Sequence, residues 1–500
     1  MKLSDLLQDI SVLQIIGNSD IEVAGIHSDS RQVKQGQMFV AQQGTAVDGH
    51  TFIATCIAQG ANAIILDNPD YLPKEQTDTT YILVADSSEA LGKLAHVWYG
   101  HPTKQLQLVG VTGTNGKTTT ATLLYQLFKN VGYKVGLLST VVNYVNDQAI
   151  PSTHTTPDAL SLNALLAQMV EAGCEYAFME VSSHAIAQKR IAGLQFAGAL
   201  FTNLTRDHLD YHKTFDHYRD TKKQLFDQLD KKAFAITNCD DKNGLVMTQN
   251  THAKVYTYST RSMADFRGKI LEESFEGMLL RIQSAIESVN TEVWVPLVGR
   301  FNVSNLLLIY GCSVALGIEP MEALRILSNT SPVNGRFETI PSATGWTGII
   351  DYAHTPDAVE NVLKTINEIV SANANKQLAP TQVITVVGCG GNRDKGKRPI
   401  MARIAYDHST QLILTSDNPR DEQPQDILRD MAAGLTDEEL QRVLIIEDRA
   451  SAIKTACTLA RKGDVILVAG KGHEDYQIIK GVKYHFDDHE IVKQCALVCH

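Results

Sequence analysis

The stretch LQLVGVTGTNGKTTTATLLYQLFKNVG, residues 106–132, decides the fold. Its opening LQLVGV is the short apolar run of a buried strand, and its closing TTATLLYQLFKN has apolar residues at helical spacing. Between them lies a glycine-rich turn ending in lysine and threonine. A strand that passes through such a turn into a helix gathers backbone N–H groups and the helix dipole at one point, which suits phosphate oxygens. On this reading Gly113, Thr114, Asn115, Gly116, Lys117, Thr118 and Thr119 form the phosphate loop of an ATP site. Lys117 reaches the β and γ phosphates, and the Thr118 hydroxyl faces Mg²⁺. The general pattern places a glycine five residues before Gly116, where this chain has Val111 between Gly110 and Gly113.

Working outward, the 500 residues suit about three domains of roughly 150 residues each. Residues 1–101 hold the strand-like runs MFVA (38–41), AIIL (63–66) and YILVA (81–85) and predict a small α/β domain. Residues 102–334 open at His101-Pro102-Thr103 with the phosphate loop. The strands FMEVSS (178–183), GALFTNL (198–204) and AFAITN (233–238) follow, alternating with helices, and predict a P-loop ATPase-like, mostly parallel sheet. Near Pro332 to Arg336 the helical pattern breaks, and residues 335–500 form the third domain. There TGIIDYAH, QVITVVGCGG, QLILTSDNP, VLIIED and DVILVAGKG deliver Gly, Asp or Asn to strand ends. That is the pattern of a Rossmann-like doubly wound sheet, whose ligands sit at the carboxyl edge.

Composition narrows the function. Hydrophobic residues at 44% and charged residues at 20% are the balance of a globular α/β chain. A net charge of −11 argues against a nucleic-acid partner, so an anionic substrate must be met by local basic groups. The opening MKLSDLLQDISVLQIIGNSD reads as an amphipathic helix rather than a signal peptide, and no run of about 18 apolar residues predicts a membrane span. Eight cysteines scattered without ligand spacing read as free thiols of a reducing cytoplasm. Cys499 and His500 end the chain together, a weak case for a metal site.

The motifs GVTGTNGKTTT, MEVSSHA, FTNLTRDHLDYH, GRFNVSN, NGRFE, DYAHTPD, GCGGNRDKGKRP, TSDNPR and AGKGHE occur in that order. With them the chain resembles the Mur ligase family along essentially its whole length; folylpolyglutamate synthetases share the TGTNGKT variant but not the separate N-terminal domain. The resemblance implies the family branch of cytoplasmic cell-wall (peptidoglycan) synthesis, tied to cell shape and division, that lengthens UDP-N-acetylmuramoyl-L-alanyl-D-glutamate. It implies ATP as co-substrate, two Mg²⁺ ions and a monomer.

Taken alone, Glu180 reads as a strand-end carboxylate, His208 as a surface histidine and Lys222 as a solvated lysine. The resemblance instead implies that Thr118 and Glu180 hold one Mg²⁺, while His208 and a carbamylated Lys222 (N6-carboxylysine) help hold another. A cationic lysine cannot bind Mg²⁺, whereas a neutral amine that has captured CO₂ becomes a hard oxygen donor. The same likeness implies that Ser30 of HSDSR contacts the UDP portion, where an ordinary polar turn is the other reading. It further implies that Thr155, Thr156, Ser182, Gln188 and Arg190 hold the muramoyl dipeptide, and that Asn302, Arg336 and Asp351 border the nucleotide. Asn305, beside Asn302, joins that group.

In the last domain Arg393, the tetrad Asp417-Asn418-Pro419-Arg420, Gly470 and Glu474 fall at strand ends. The tetrad resembles the marker of members that add meso-2,6-diaminopimelate. That amino acid has a second head, with a carboxylate for Arg393 or Arg420 and an ammonium for Asp417 or Glu474; lysine lacks the carboxylate. Sites built on such polar contacts discriminate by roughly 10⁴ or more. The implied reaction passes through an acyl phosphate on the D-glutamyl γ-carboxylate. A lysine-adding relative and a nucleotide-driven module without ligase activity are the competing readings.

Overall fold

In the computed structural model the described residues are 1–44, 47–75, 77–152, 154–373 and 381–497; Cys499 and His500 lie outside them. The chain builds three successive sheets and a small C-terminal hairpin. The first has five strands in the order Val12–Ile16, Thr80–Val84, Ala63–Leu66, Met38–Val40, Ile26–His27, all parallel except the antiparallel first pair.

The second sheet has eleven strands. Its parallel centre orders Phe234–Asn238, Gly198–Phe201, Gln107–Thr112, Tyr176–Glu180 and Val135–Leu138, so the strand feeding the phosphate loop lies in the middle. Lys254–Ser259 and Phe266–Ser274 continue it in parallel, and antiparallel strands complete both edges. The third sheet orders Glu338–Pro341, Thr347–Asp351, Val465–Ala469, Val383–Cys389, Gln411–Ser416 and Leu444–Ile445, parallel apart from its first strand.

The central parallel strands of the second and third sheets are buried on both faces, which is why they read as continuous apolar runs. Val109, Val111, Phe178 and Leu200 pack into one central core; Leu108, Met179 and Phe201, alternating with them, pack into another. Ile349 and Leu467 face one layer of the third sheet, and Ile350 and Val468 face the other. The helix Ser87–Trp98 joins the first sheet's layer to the central one by packing on Ala159–Glu171.

The opening segment departs from the expected amphipathic helix. Only Leu3–Leu6 is helical, with Leu3 and Leu6 buried, and Val12–Ile16 is an edge strand paired with Thr80–Val84. β-Branched Val12, Ile15 and Ile16 favour extended backbone, and Gly17, at φ +110°, turns the chain after them. Among the described residues no helix is long and apolar enough to cross a membrane, and all seven cysteines are free thiols.

Candidate active site

The carboxyl edges of the central and third sheets border one cavity of about 530 Å³. Thr114–Thr118, Thr155, Glu180, Ser182, His208 and Lys222 line it from the central sheet's side. Arg336, Arg393, Asp417, Asn418, Arg420, Gly470 and Glu474 line it from the other.

The phosphate loop depends on its glycines. Gly113 (φ +146°) and Gly116 (φ +85°) adopt backbone angles that side chains disfavour, and a Cβ would collide with Thr202 at the first and with Asn305 at the second. Asn305 and Asn302 are buried behind the loop and bonded to each other at 3.2 Å, with Asn302 donating to the Val298 carbonyl. Thr119 is buried in the helix Lys117–Val131 that the loop starts.

Two lysines meet at this loop. Lys117 Nζ donates to the carbonyls of Gly113 (3.0 Å) and Thr114 (2.7 Å), and Lys222 Nζ donates to the same Gly113 oxygen at 2.8 Å. Burial lowers the pKa of both, well below the ordinary lysine range for Lys222, where the Lys117 charge adds to the effect. Neither has a carboxylate at ion-pair distance among the described residues; the Tyr218 ring lies 4.9 Å from Lys222 Nζ.

Glu180 is buried at its strand end, one oxygen accepting the Thr140 N–H at 2.8 Å. His208, at φ +53°, lies beside Asp207 (3.4 Å) and edge-on to His184. Desolvation lowers its pKa to about 4 against the pull of Asp207, so the imidazole is neutral at physiological pH. Glu180 and the Thr118 hydroxyl on this wall are hard oxygen donors, the chemistry Mg²⁺ takes. Among the described residues no group of three or more His, Cys, Asp or Glu side chains is assembled for a metal.

Thr155 and Ser182 reach the cavity; Thr156, Gln188 and Arg190 stand behind its lining. Arg190 donates to Gln188 Oε1 (3.0 and 2.6 Å) and to the Thr156 carbonyl (2.8 Å), while Thr156 Oγ1 donates to the Glu180 carbonyl. Ser30 lies in a turn of the first sheet's layer, away from the cavity, next to an Asp29–Arg31 ion pair.

Contacts cross between the two sheets' layers. Arg336 Nη2 donates to Thr118 Oγ1 at 3.1 Å while its guanidinium stacks over Tyr352, and Asn115 Nδ2 donates to Asp357 Oδ2 at 3.2 Å. Asp351 sits at the joint beneath, buried, its oxygens accepting the Phe337 and Ala353 N–H groups at 2.8 and 2.7 Å rather than lining the cavity. Sequence reasoning passed over Asp357, although it stands in the quoted DYAHTPD, and also Tyr352 and His354 of the same motif.

On the third sheet's edge Arg420, at φ +53°, donates to the Gly391 carbonyl at 2.8 Å, and Asn418 Nδ2 donates to Glu474 Oε2 at 2.7 Å. Pro419 lies between them in the chain; Arg393 is exposed at the cavity. Gly470, at φ +119°, lies beside the Asp417 carboxylate. The sequence reading missed Lys471 of AGKGHE, which is fully buried under this edge within 3.3 Å of Asp417 Oδ1 and 3.4 Å of Glu474 Oε2.

Three regions of the chain match known domains: residues 22–99 the Mur ligase family catalytic domain, 111–312 the Mur ligase middle domain, and 335–472 the Mur ligase glutamate ligase domain. The UDP-N-acetylmuramoyl-L-alanyl-D-glutamate--2,6-diaminopimelate ligase of Phocaeicola vulgatus is 57% identical over 494 residues, covering 99% of both chains. The ligase of the same name from Bacteroides fragilis is 57% identical over 495 residues, again covering 99% of each. A solved structure of a ligase with that name superposes at TM-score 0.69, with 31% identity over 99% of this chain and 98% of the other.

Proposed function

Since the chain belongs to the Mur ligase family, we propose that it is the ATP-dependent ligase that adds meso-2,6-diaminopimelate to UDP-N-acetylmuramoyl-L-alanyl-D-glutamate in peptidoglycan synthesis; the relatives that match it over 99% of both chains are named as ligases of that acid and 2,6-diaminopimelate. The observation that carries this reading is the single cavity between two carboxyl edges, with a phosphate loop on one side and an Arg/Asp/Asn/Glu cluster on the other.

The D-glutamyl γ-carboxylate attacks the γ-phosphorus of ATP, forming an acyl phosphate and releasing ADP. Lys117 and the loop N–H groups neutralise charge on the transferring phosphoryl group, and Arg336 approaches from the opposite side through Thr118. The amine of diaminopimelate then attacks the acyl carbon and loses a proton, and phosphate leaves to give the tripeptide. Holding both reactants in one cavity supplies much of the acceleration. Among the loop residues Gly113, Thr114, Asn115, Gly116 and Thr119 shape the nucleotide site, backed by Asn302 and Asp351.

Mg²⁺, when bound, supplies charge neutralisation at the phosphates, with Thr118 and Glu180 as its holders and His208 and Lys222 at a second ion. Lys222 suits carbamate formation because its amine is buried and its pKa depressed. The neutral nitrogen bonds to the carbon of CO₂ and gives up a proton, leaving an oxygen anion. Ser30, Thr155, Thr156, Ser182, Gln188 and Arg190 serve the UDP-muramoyl dipeptide, directly or by bracing those that touch it. The reading carries a cytoplasmic location and a monomer with it.

Phosphate release tests this directly. It should require ATP, the UDP-dipeptide and an amino acid together; release with ATP alone at the full rate would identify a nucleotide-driven module instead.

A further inference from the structure

Lys471 is a buried charge on the amino-acid side that the proposed reaction does not use. Its Nζ has four neighbours: the Tyr476 carbonyl at 2.6 Å, Asn418 Oδ1 at 3.2 Å, Asp417 Oδ1 at 3.3 Å and Glu474 Oε2 at 3.4 Å. These come from three pieces of chain: the Asp417–Arg420 tetrad, the loop carrying Gly470 and Glu474, and the hairpin strand Tyr476–Ile479. Asn418 completes the lock by donating to Glu474 and accepting from the Ile478 N–H, and Gln477 donates to the Asp417 carbonyl.

The two carboxylates are not equivalent within this lock. Burial works to raise Asp417, but Lys471 and Arg449 outweigh it and hold the carboxyl below its usual range; burial and the nearby Asp417 raise Glu474. Asp417 is nine-tenths or more buried, while Glu474 is more open to the cavity.

We propose that Lys471 is a positioning residue for amino-acid selection: it is the internal counter-ion of Asp417, and by taking that charge it leaves Glu474, oriented through Asn418, as the carboxylate that meets the incoming ammonium. This rests on the ligase reading and on the third-sheet edge being the amino-acid subsite. Without Lys471 two carboxylates face each other with only Arg449, beyond ion-pair distance, to offset them, and the tetrad, loop and hairpin lose their common tie.

The test uses the full-length enzyme and whichever amino acid the wild type ligates, so a wrong choice of amino acid cannot pass for a failure here. Lys471→Met should raise the KM for the amino acid about 30-fold or more, the scale for stranding a buried charge, with the KM values for ATP and UDP-dipeptide within about twofold of wild type. Adding Asp417→Asn removes the stranded charge, so the double variant should regain at least about tenfold of that loss. A merely structural lysine gives the opposite pattern, with all three KM values or only the melting temperature changing and the second substitution worsening the defect. If Lys471→Met does not fold, the double variant decides: a folded enzyme with a near-wild-type amino-acid KM supports the proposal, and an unfolded one overturns it.

Discussion

The two walls of the cavity treat charge in opposite ways. On the phosphate-loop wall Lys117 and Lys222 converge on the Gly113 carbonyl with, among the described residues, no carboxylate at ion-pair distance, and burial lowers the pKa of both. On the facing wall Lys471 lies at ion-pair distance from Asp417 and Glu474, and Asn418 donates to Glu474. Lys117, left with only neutral acceptors, gains most when an anion arrives, which suits the phosphate binding and transfer proposed for it, while the neutral Lys222 amine is left open to CO₂. A pre-paired cluster gains little from bulk charge but fixes geometry, which is the condition for telling one amino acid from another. On the proposed reading, one cavity separates chemistry from selection by pairing charges on one side only.

The largest expected break in that contrast is Lys117→Met, which should cut phosphate release by about 10³-fold or more by removing the loop's transition-state cation. Lys222→Ala comes next, with about a 10²-fold loss followed by steady-state kinetics. Added formate or acetate should restore part of the activity by supplying the missing oxygen anion, whereas Lys222→Arg should gain nothing from either salt. Across the cavity, Arg420→Ala should lower kcat/KM for diaminopimelate about 30-fold while the KM for ATP stays put, sharpening the division of labour between the walls. Asn115→Ala, which removes the bond to Asp357 across the joint, should raise the KM for ATP only about fivefold, the scale of one neutral-to-charged hydrogen bond.

The smallest effect concerns pH and the joint itself. Burial holds His354 near a pKa of about 4 and His473 at about 3, against about 6.5 in the unfolded chain. As pH falls, the unfolded chain takes up these protons first, so their contribution is intact above about 6.5 and lost progressively down to about 3 to 4. A calorimetric melting temperature that declines through this window, and declines less in His473→Gln, is the expected outcome.

The legible parts of the fold were those where local pattern and tertiary role agree. Strands buried on both faces, such as Gln107–Thr112 and Val383–Cys389, show as apolar runs whatever surrounds them, and the phosphate loop shows because glycine is required at Gly113 and Gly116. The edge strand Val12–Ile16 was hidden because only its pairing with Thr80–Val84 separates it from an amphipathic turn of helix. The antiparallel extension Phe266–Ser274, Gly277–Ser284 and Val289–Val295 was hidden because half-exposed strands mix polar and apolar residues without long runs.

The candidate site divides in the same way. Residues standing inside motifs, Lys117, Glu180 and Asp417 among them, could be named from the sequence and meet in one cavity, together with Lys222, which only the family resemblance singled out. Their partners could not. That Lys471 closes on a tetrad more than fifty positions earlier, or that Asn115 reaches Asp357, depends on how sheets and loops pack, and no local spacing encodes it.

The most direct test of the central claim is a mass measurement of the nucleotide product after incubation with ATP, Mg²⁺ and UDP-N-acetylmuramoyl-L-alanyl-D-glutamate, with meso-diaminopimelate or L-lysine in parallel. The account predicts a tripeptide bearing diaminopimelate and no detectable lysine product. Equal product from lysine would contradict the selective role given to the Asp417–Arg420 wall, and no product from either in protein that binds ATP would contradict the ligase reading itself.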